Sequence, residues 1–182
     1  MKRVFFVLFL ILLIGCATKE EVKSEDSTPV EKINEIGGEN MRLVSDDFQH
    51  NGMIPAKFTC QGEDINPELA WSDVPAGTKS FALIMDDPDA PMGTWVHWLV
   101  KDIPANVKEI KQNSIPGTQV VNSFGKEDYG GPCPPSGVHR YFFKLYALSV
   151  PSFDASGKAD FYKKVEQYKV GEAVLMGKYI KR

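Results

Sequence analysis

Residues 141–148 read YFFKLYAL, and residues 81–85 read FALIM. Both runs are rich in the aromatic and aliphatic side chains that favour strands, and both are apolar at consecutive rather than alternating positions. A strand that is apolar on both faces is typical of the centre of a sheet with a layer packed on each side. The two runs therefore predict central β-strands covered by a second sheet, a helix or long loops.

Further strand-like segments surround these two runs. They are bounded by Pro, Gly or Asp and lie at Met53–Thr59, Trp95–Val100, Gln119–Asn122 and Ala173–Ile180. A helix is predicted between Gly157 and Lys169, where three apolar residues recur at helical spacing among charged ones. The composition therefore predicts a mainly β domain with one or two short helices.

The amino-terminal segment differs in kind from the rest. Lys2 and Arg3 precede an unbroken apolar run over 4–14, which is the pattern of a secretory signal rather than of a spanning helix. The run ends in LIGC at residues 13–16, which resembles a bacterial lipoprotein cleavage box with Cys16 as the lipid-bearing residue. An ordinary signal, or a short anchor with a chance cysteine, is the alternative. The predicted divisions are a lipoprotein signal peptide at 1–15, a lipidated flexible tether at 16–40 and a folded domain at 41–182.

Composition supports these divisions. Residues 17–40 carry charges and chain breakers with hardly any apolar side chains, so they cannot bury enough surface to offset their ordering entropy. About 140 residues remain, enough for one domain that folds without a metal or a disulfide. The formal net charge of −3 argues against a nucleic-acid partner. With Cys16 assigned to lipid, Cys60 and Cys133 form an even pair, either bridged or present as two buried thiols.

The segment DPDAP at residues 87–91 brings two acids to a stiff turn. Each proline pushes the preceding residue out of the helical region, so Asp87 and Ala90 are held extended and the acids are positioned. From composition alone, an Asp-Pro turn that caps local backbone amides is the simpler interpretation. The nearby histidines favour a binding role for Asp87 and Asp89.

Two histidines lie near the starts of strand-like runs. On a strand, His97 would share a face with Trp95 and Leu99. By the same alternation, His139 would share a face with Tyr141. Either histidine alone is more often a satisfied core residue than a ligand-binding one. Because each follows a glycine- or proline-rich loop, the pair predicts a shared mouth where imidazoles meet the acids.

The sequence favours a metal site and a serine hydrolase less than a binding mouth. A metal site made of both histidines and Asp87 would lack the local spacing that metal motifs usually supply. A serine hydrolase could use Ser136 or Ser123 with His139, but the sequence has no Gly-x-Ser-x-Gly elbow. The sequence therefore predicts no metal, no cofactor and no enzymatic activity.

Three blocks together resemble the phosphatidylethanolamine-binding protein family, and most closely its bacterial branch, the Raf-kinase-inhibitor-like proteins. The blocks are DPDAP at 87–91, WVH at 95–97 and GVHRY at 137–141, and the resemblance covers residues 41–182. It implies a Greek-key sandwich of two antiparallel sheets with a small pocket for phosphate-like anions or phosphorylated headgroups. The ligand-binding positions that it implies are Asp87, Asp89, His97, Pro135, His139 and Tyr141.

The leading hypothesis is a non-enzymatic lipoprotein of the bacterial cell envelope, attached to a membrane through lipid on Cys16. Imidazole N–H and phenol O–H groups would donate to the oxygens of a small anionic or phosphorylated ligand, while Asp87 orients a histidine or accepts from an ammonium head. The alternative is a protein-interaction module, such as an inhibitor of an envelope protease, that acts through the loops at 61–69 and 126–136. The sequence does not identify the protein partner.

Overall fold

The computed structural model describes residues 41–182, which form two antiparallel sheets and one α-helix. The smaller sheet has the order β1-β2-β5, with bounds Arg42–Val44, Leu69–Ser72 and Glu109–Ile110. The larger sheet has the order β6-β4-β3-β7-β8, with bounds Thr118–Gln119, Trp95–Pro104, Ser80–Asp87, Val138–Leu148 and Lys169–Ile180. The predicted mainly β fold with two antiparallel sheets is confirmed.

The larger sheet is buried on both faces. One face packs on the smaller sheet and forms the sandwich core, whose members include Leu43, Trp71, Phe81, Trp98, Tyr141 and Phe143. The other face packs under helix α1, Lys158–Tyr168, and forms the helix-side core, whose members include Ile84, Val96, Leu99, Phe161 and Val165. Every residue of β3 is buried. The expectation that the apolar runs at 81–85 and 141–148 are central strands is therefore confirmed.

The remaining predicted segments agree with the structure to different degrees, and Trp95–Val100 lies within β4. Helix α1 lies within the predicted Gly157–Lys169, and the carboxyl-terminal run at 173–180 belongs to the longer strand β8. The strand expected at Met53–Thr59 is wrong, because Met53 makes only an isolated bridge and Ala56–Phe58 form a turn of 3₁₀-helix. Pro55 interrupts this segment since it has no N–H to donate to a ladder. The predicted strand at Gln119–Asn122 is reduced to β6, Thr118–Gln119.

Cys60 and Cys133 form a disulfide, with 5.5 Å between their Cα atoms. Of the two alternatives that the sequence left open, the bridge is therefore the one present. The link joins the segment after the 3₁₀ turn to the proline-rich loop at 132–135, 73 residues later in the chain. The proline-rich loop is thereby held against the body of the sandwich.

Among residues 41–182 there is no helix both long enough and apolar enough to cross a bilayer. The signal peptide at 1–15, the tether at 16–40 and the lipidation of Cys16 fall outside the described residues. These three assignments stay predictions.

Candidate functional site

A cavity of about 360 Å³ opens where β3, β4 and β7 meet, and we call it the histidine cavity. Its lining residues are Asp87, Ala90, Pro91, Met92, Trp95, His97, Phe124, Cys133, Pro134, Pro135, His139 and Tyr141. Five of the six predicted ligand-binding residues are in this set, and the sixth, Asp89, is not. The structure thus brings together side chains that are up to 54 residues apart, from Asp87 to Tyr141.

Antiparallel pairing explains why these residues meet. Asp86 of β3 lies opposite Phe142 of β7, so the end of β3 lies beside the start of β7. Asp87 lies opposite Trp95, so the start of β4 lies at the same end of the sheet. Alternation along β7 then places His139 and Tyr141 on the sandwich side of the sheet, as the sequence predicted.

A buried hydrogen bond between His139 and Asp87 lies at one side of the histidine cavity. Nδ1 of His139 lies 2.7 Å from Oδ2 of Asp87, and the side chains are 9% and 4% exposed. Oδ1 of the same carboxylate accepts a hydrogen bond from the backbone N–H of Asp89 at 2.8 Å. Because the carboxylate accepts the Nδ1 proton, the imidazole is held in one orientation and its Nε2 is left for a ligand.

His97 faces the histidine cavity because β4 contains a β-bulge. Met85 pairs with Trp98 while Asp86 pairs with Val96, which leaves His97 as the extra residue of the ladder. His97 and Trp98 consequently both face the sandwich side, where the imidazole contacts the Tyr141 ring at a centroid distance of 5.2 Å.

The bulge corrects one expectation drawn from simple alternation. Leu99 belongs to the helix-side core, so the prediction that it shares a face with His97 is wrong. The predicted companion Trp95 does line the cavity with His97. One extra residue moves Trp98 and Leu99 to the faces opposite those that simple alternation predicts, and no local pattern in the sequence indicated the shift.

The protonation state of His97 follows from its surroundings. Its Nδ1 lies 2.6 Å from the carbonyl oxygen of Gly130, so Nδ1 carries the proton and donates it. Burial lowers the pKa of His97 below its ordinary value of 6.5. The ring is therefore neutral at neutral pH and presents the lone pair of Nε2, which makes no hydrogen bond within the described part of the chain.

Tyr141 brings an unpaired phenol oxygen to the cavity. Its side chain is fully buried, and its phenol oxygen has no hydrogen-bond partner among residues 41–182. The backbone N–H of Cys133 lies close enough to the phenol to affect the pKa of Tyr141, but the two groups do not meet the distance and angle of a hydrogen bond. Burial, and then the Asp87 charge, raise the pKa of Tyr141, so the phenol keeps its proton. Buried polar groups in native proteins are rarely unpaired, so this O–H is available to a ligand acceptor.

Asp89 lies outside the histidine cavity and joins the turn at 87–91 to β7. Its carboxylate binds Arg140 at both oxygens, with Nε at 2.9 Å from Oδ2 and Nη2 at 2.6 Å from Oδ1. The same guanidinium holds the pKa of Asp89 at about 2. The sequence assigned Asp89 to ligand binding, and the structure instead places it as a clamp between the DPDAP turn and β7. Arg140 was missed because its partner is 51 residues away in the chain.

The apolar rim of the cavity was also not predicted. Phe124 is 43% exposed and its ring contacts both Trp95 and His97 at centroid distances of 5.4 and 5.3 Å. Met92 is 93% exposed at the same mouth. Two exposed apolar side chains thus lie at the mouth of the cavity, next to its two imidazoles.

The two rejected chemistries can be compared with the geometry. Within residues 41–182, no three His, Cys, Asp or Glu side chains lie close enough together to hold a metal ion. Oγ of Ser123 is bonded to the Lys158 ammonium at 2.8 Å and to the Val96 backbone N–H at 3.0 Å. It is therefore engaged with neither histidine of the cavity.

Comparisons with known proteins agree with the fold and identify the family. The family model described as phosphatidylethanolamine-binding protein matches residues 44–180. A UPF0098 protein from Aquifex aeolicus is 44% identical over 159 residues, which cover 81% of this chain and 93% of the relative. A UPF0098 protein from Methanothermobacter thermautotrophicus is 43% identical over 148 residues, covering 76% and 98%.

Comparison with solved structures indicates the same family. A crystal structure of a phosphatidylethanolamine-binding protein homolog from Chlamydia trachomatis is 37% identical, with a TM-score of 0.75, and covers 80% of this chain and 100% of its own. YbcL from E. coli, described as a new member of the mammalian family, is 30% identical, with a TM-score of 0.74, covering 79% and 99%. The family model spans most of the chain, and these bacterial relatives fit the expected branch. The chain therefore belongs to the phosphatidylethanolamine-binding protein family.

Proposed function

We propose that the protein binds a small phosphorylated or otherwise anionic ligand in the histidine cavity, without turning it over. The single observation that carries the proposal is the unpaired, fully buried phenol of Tyr141 in a cavity with two imidazoles. Members of this family are generally not enzymes, which agrees with binding alone. The family's name refers to a phosphorylated ammonium headgroup, and such a ligand is one of the class proposed.

Each polar group has a distinct task in this proposal. The Tyr141 hydroxyl donates to one anionic oxygen. His139, whose ring is oriented by the Asp87 carboxylate, lies with Nε2 toward a second oxygen of the ligand. His97 accepts the hydrogen of a singly protonated phosphate at Nε2, or takes up a proton and donates. The apolar rim of Met92 and Phe124 contacts the carbon part of the ligand.

Removing the phenol oxygen tests the proposal directly. Titration of the wild type with phosphate or phosphorylethanolamine should shift the imidazole resonances of His97 and His139. Tyr141→Phe should bind roughly tenfold more weakly, because a hydrogen bond to a charged group contributes about 1.5 to 3 kcal/mol. The matched control is Tyr146→Phe, which alters the same strand on its opposite face and should bind as the wild type does. Unmoved imidazole signals at millimolar ligand would refute the proposal.

The affinity for an anion should also depend on pH, and His97 sets the direction of the change. Burial holds its pKa below 6.5, so the ring is neutral at pH 7 and becomes a charged donor only on acidification. Sulfate keeps its two charges over this range, so its affinity should rise as the pH falls from about 7 to about 5. In His97→Asn this rise should shrink, whereas in His50→Asn, which alters an exposed histidine, it should persist. Calorimetry at several pH values measures the sulfate affinity. A wild-type affinity that stays constant or falls on acidification would contradict the predicted rise.

The membrane attachment and the protein-interaction alternative both stay predictions. Attachment through Cys16 is supported by the sequence alone, and labelled palmitate should enter the wild type but not Cys16→Ala. A protein-interaction module acting through the loops at 61–69 and 126–136 would keep its partner in His139→Ala. The binding proposal expects that variant to lose its ligand.

A further inference from the structure

A second cavity, of about 560 Å³, lies on the opposite face of the larger sheet, and we call it the Asp86 cavity. Its lining residues are Asp86, Pro88, Thr94, Val96, Phe142, Lys144 and Tyr162. Neighbouring side chains of a strand point to opposite faces, so Asp87 enters the histidine cavity while Asp86 enters this one. Pro88 and Thr94 are exposed, so the cavity is reached from solvent.

Among residues 41–182, only one oxygen of the Asp86 carboxylate accepts hydrogen bonds. It is 2% exposed, and its Oδ2 accepts from the Lys144 ammonium at 2.6 Å and from the Tyr162 hydroxyl at 3.3 Å. Its Oδ1 is buried and has no donor among residues 41–182. A carboxylate has room for several hydrogen bonds, and a buried oxygen without any is unfavourable. The unpaired oxygen therefore marks where a ligand donor would bind.

The lysine of the pair also has unused capacity. An ammonium carries three donors, and Lys144 directs one of them to Asp86. Its side chain is 28% exposed, and Nζ lies 5.7 Å from the centroid of the Phe142 ring. The charges of Asp86 and Lys144 cancel, so the cavity has no reason to favour a ligand of net charge. It suits a ligand that carries one positive donor and one negative acceptor close together.

We propose that the Asp86 cavity binds a small zwitterion of the amino-acid class. The ligand ammonium donates to Oδ1 of Asp86, and the ligand carboxylate accepts from Nζ of Lys144. Val96 and the edge of Phe142 contact the carbon atoms between the two groups. The residues that carry this proposal differ from those of the histidine cavity, so it does not depend on the proposed function.

Glycine and L-alanine are the probes, each titrated at millimolar concentration into the wild-type protein with NMR detection. Signals of Lys144, Phe142 and Tyr162 should shift, and those of His97 and His139 should not. Methylamine and acetate each carry only one of the two charges and should cause less than a third of the shift at equal concentration. Phosphate should produce the reverse pattern, moving the imidazole signals alone.

Variants then test the two charged contacts. Lys144→Met should weaken glycine binding roughly tenfold, and Asp86→Asn should do the same. The matched control is Lys101→Met, which removes another partly buried lysine paired with an aspartate, and binding should be unchanged. Because Asp86 is buried, Lys144→Met decides the matter if Asp86→Asn does not fold. Unmoved Lys144 and Tyr162 signals in the wild type, or equal responses to acetate and glycine, would overturn the proposal.

Discussion

Replacing both Cys60 and Cys133 by serine should lower the free energy of unfolding by about 4 kcal/mol. The disulfide closes a loop with a separation of 73 residues, and removing such a link restores conformational entropy to the unfolded chain. The effect should extend to binding, because Cys133 lines the histidine cavity. The loop at 132–135 keeps two further attachments, from Cys60 N–H to the Pro132 carbonyl and from Gly131 N–H to Asp64, which are weaker than a covalent link.

Urea unfolding and phosphate titration of three samples measure this prediction. The samples are the oxidised wild type, the wild type kept reduced, and the double serine variant. The last two should be equally destabilised and should bind phosphate more weakly than the first, and reductant should not affect the double variant. Equal midpoints of unfolding for all three samples would show that the link contributes nothing to stability.

His139→Ala should reduce phosphate affinity by at least about a hundredfold. The variant loses the Nε2 donor, and it also leaves the Asp87 carboxylate in the cavity without its partner at 2.7 Å. That uncompensated negative charge repels an anion. The same loss should lower the free energy of unfolding by about 3 kcal/mol, because the buried Asp87 carboxylate has lost a hydrogen-bond partner.

A double variant separates the two effects. In Asp87→Ala with His139→Ala the unpaired charge is gone, so much of the stability should return while phosphate binding stays weak. His50→Ala serves as the matched control, since this histidine is exposed and lies outside the cavity, and phosphate affinity should hardly change. Calorimetry gives the affinity and urea unfolding gives the stability. Wild-type affinity in His139→Ala would remove the histidine from the proposed site.

The parts of the fold that were predicted are those with a local cause. The apolar runs at 81–85 and 141–148 are the central strands β3 and β7, and the helical spacing of Phe161 and Val165 marks α1. Strand propensity and helical periodicity depend on residues a few positions apart, so a single sequence contains them. The strand expected at Met53–Thr59 failed for a local reason too, because Pro55 withholds the N–H that a ladder needs.

The sequence named several side chains that lie together at the candidate cavity, but it did not contain their geometry. Asp87, His97, His139 and Tyr141 do line one cavity. The clamp between Asp89 and Arg140 was missed because it joins residues 51 apart in the chain. The Asp86 cavity was missed as well, although alternation along β3 sends its two adjacent acids to opposite faces.

By itself the sequence determined that the chain builds a mainly β domain, and it named several side chains that line one cavity, since propensity, periodicity and short motifs act over a few residues. Only the tertiary structure decided how those side chains are used. A bulge at His97 turns that ring toward Tyr141, and the Cys60–Cys133 bridge holds the facing wall. Both depend on pairing between distant segments, which propensity and periodicity over a few residues do not contain.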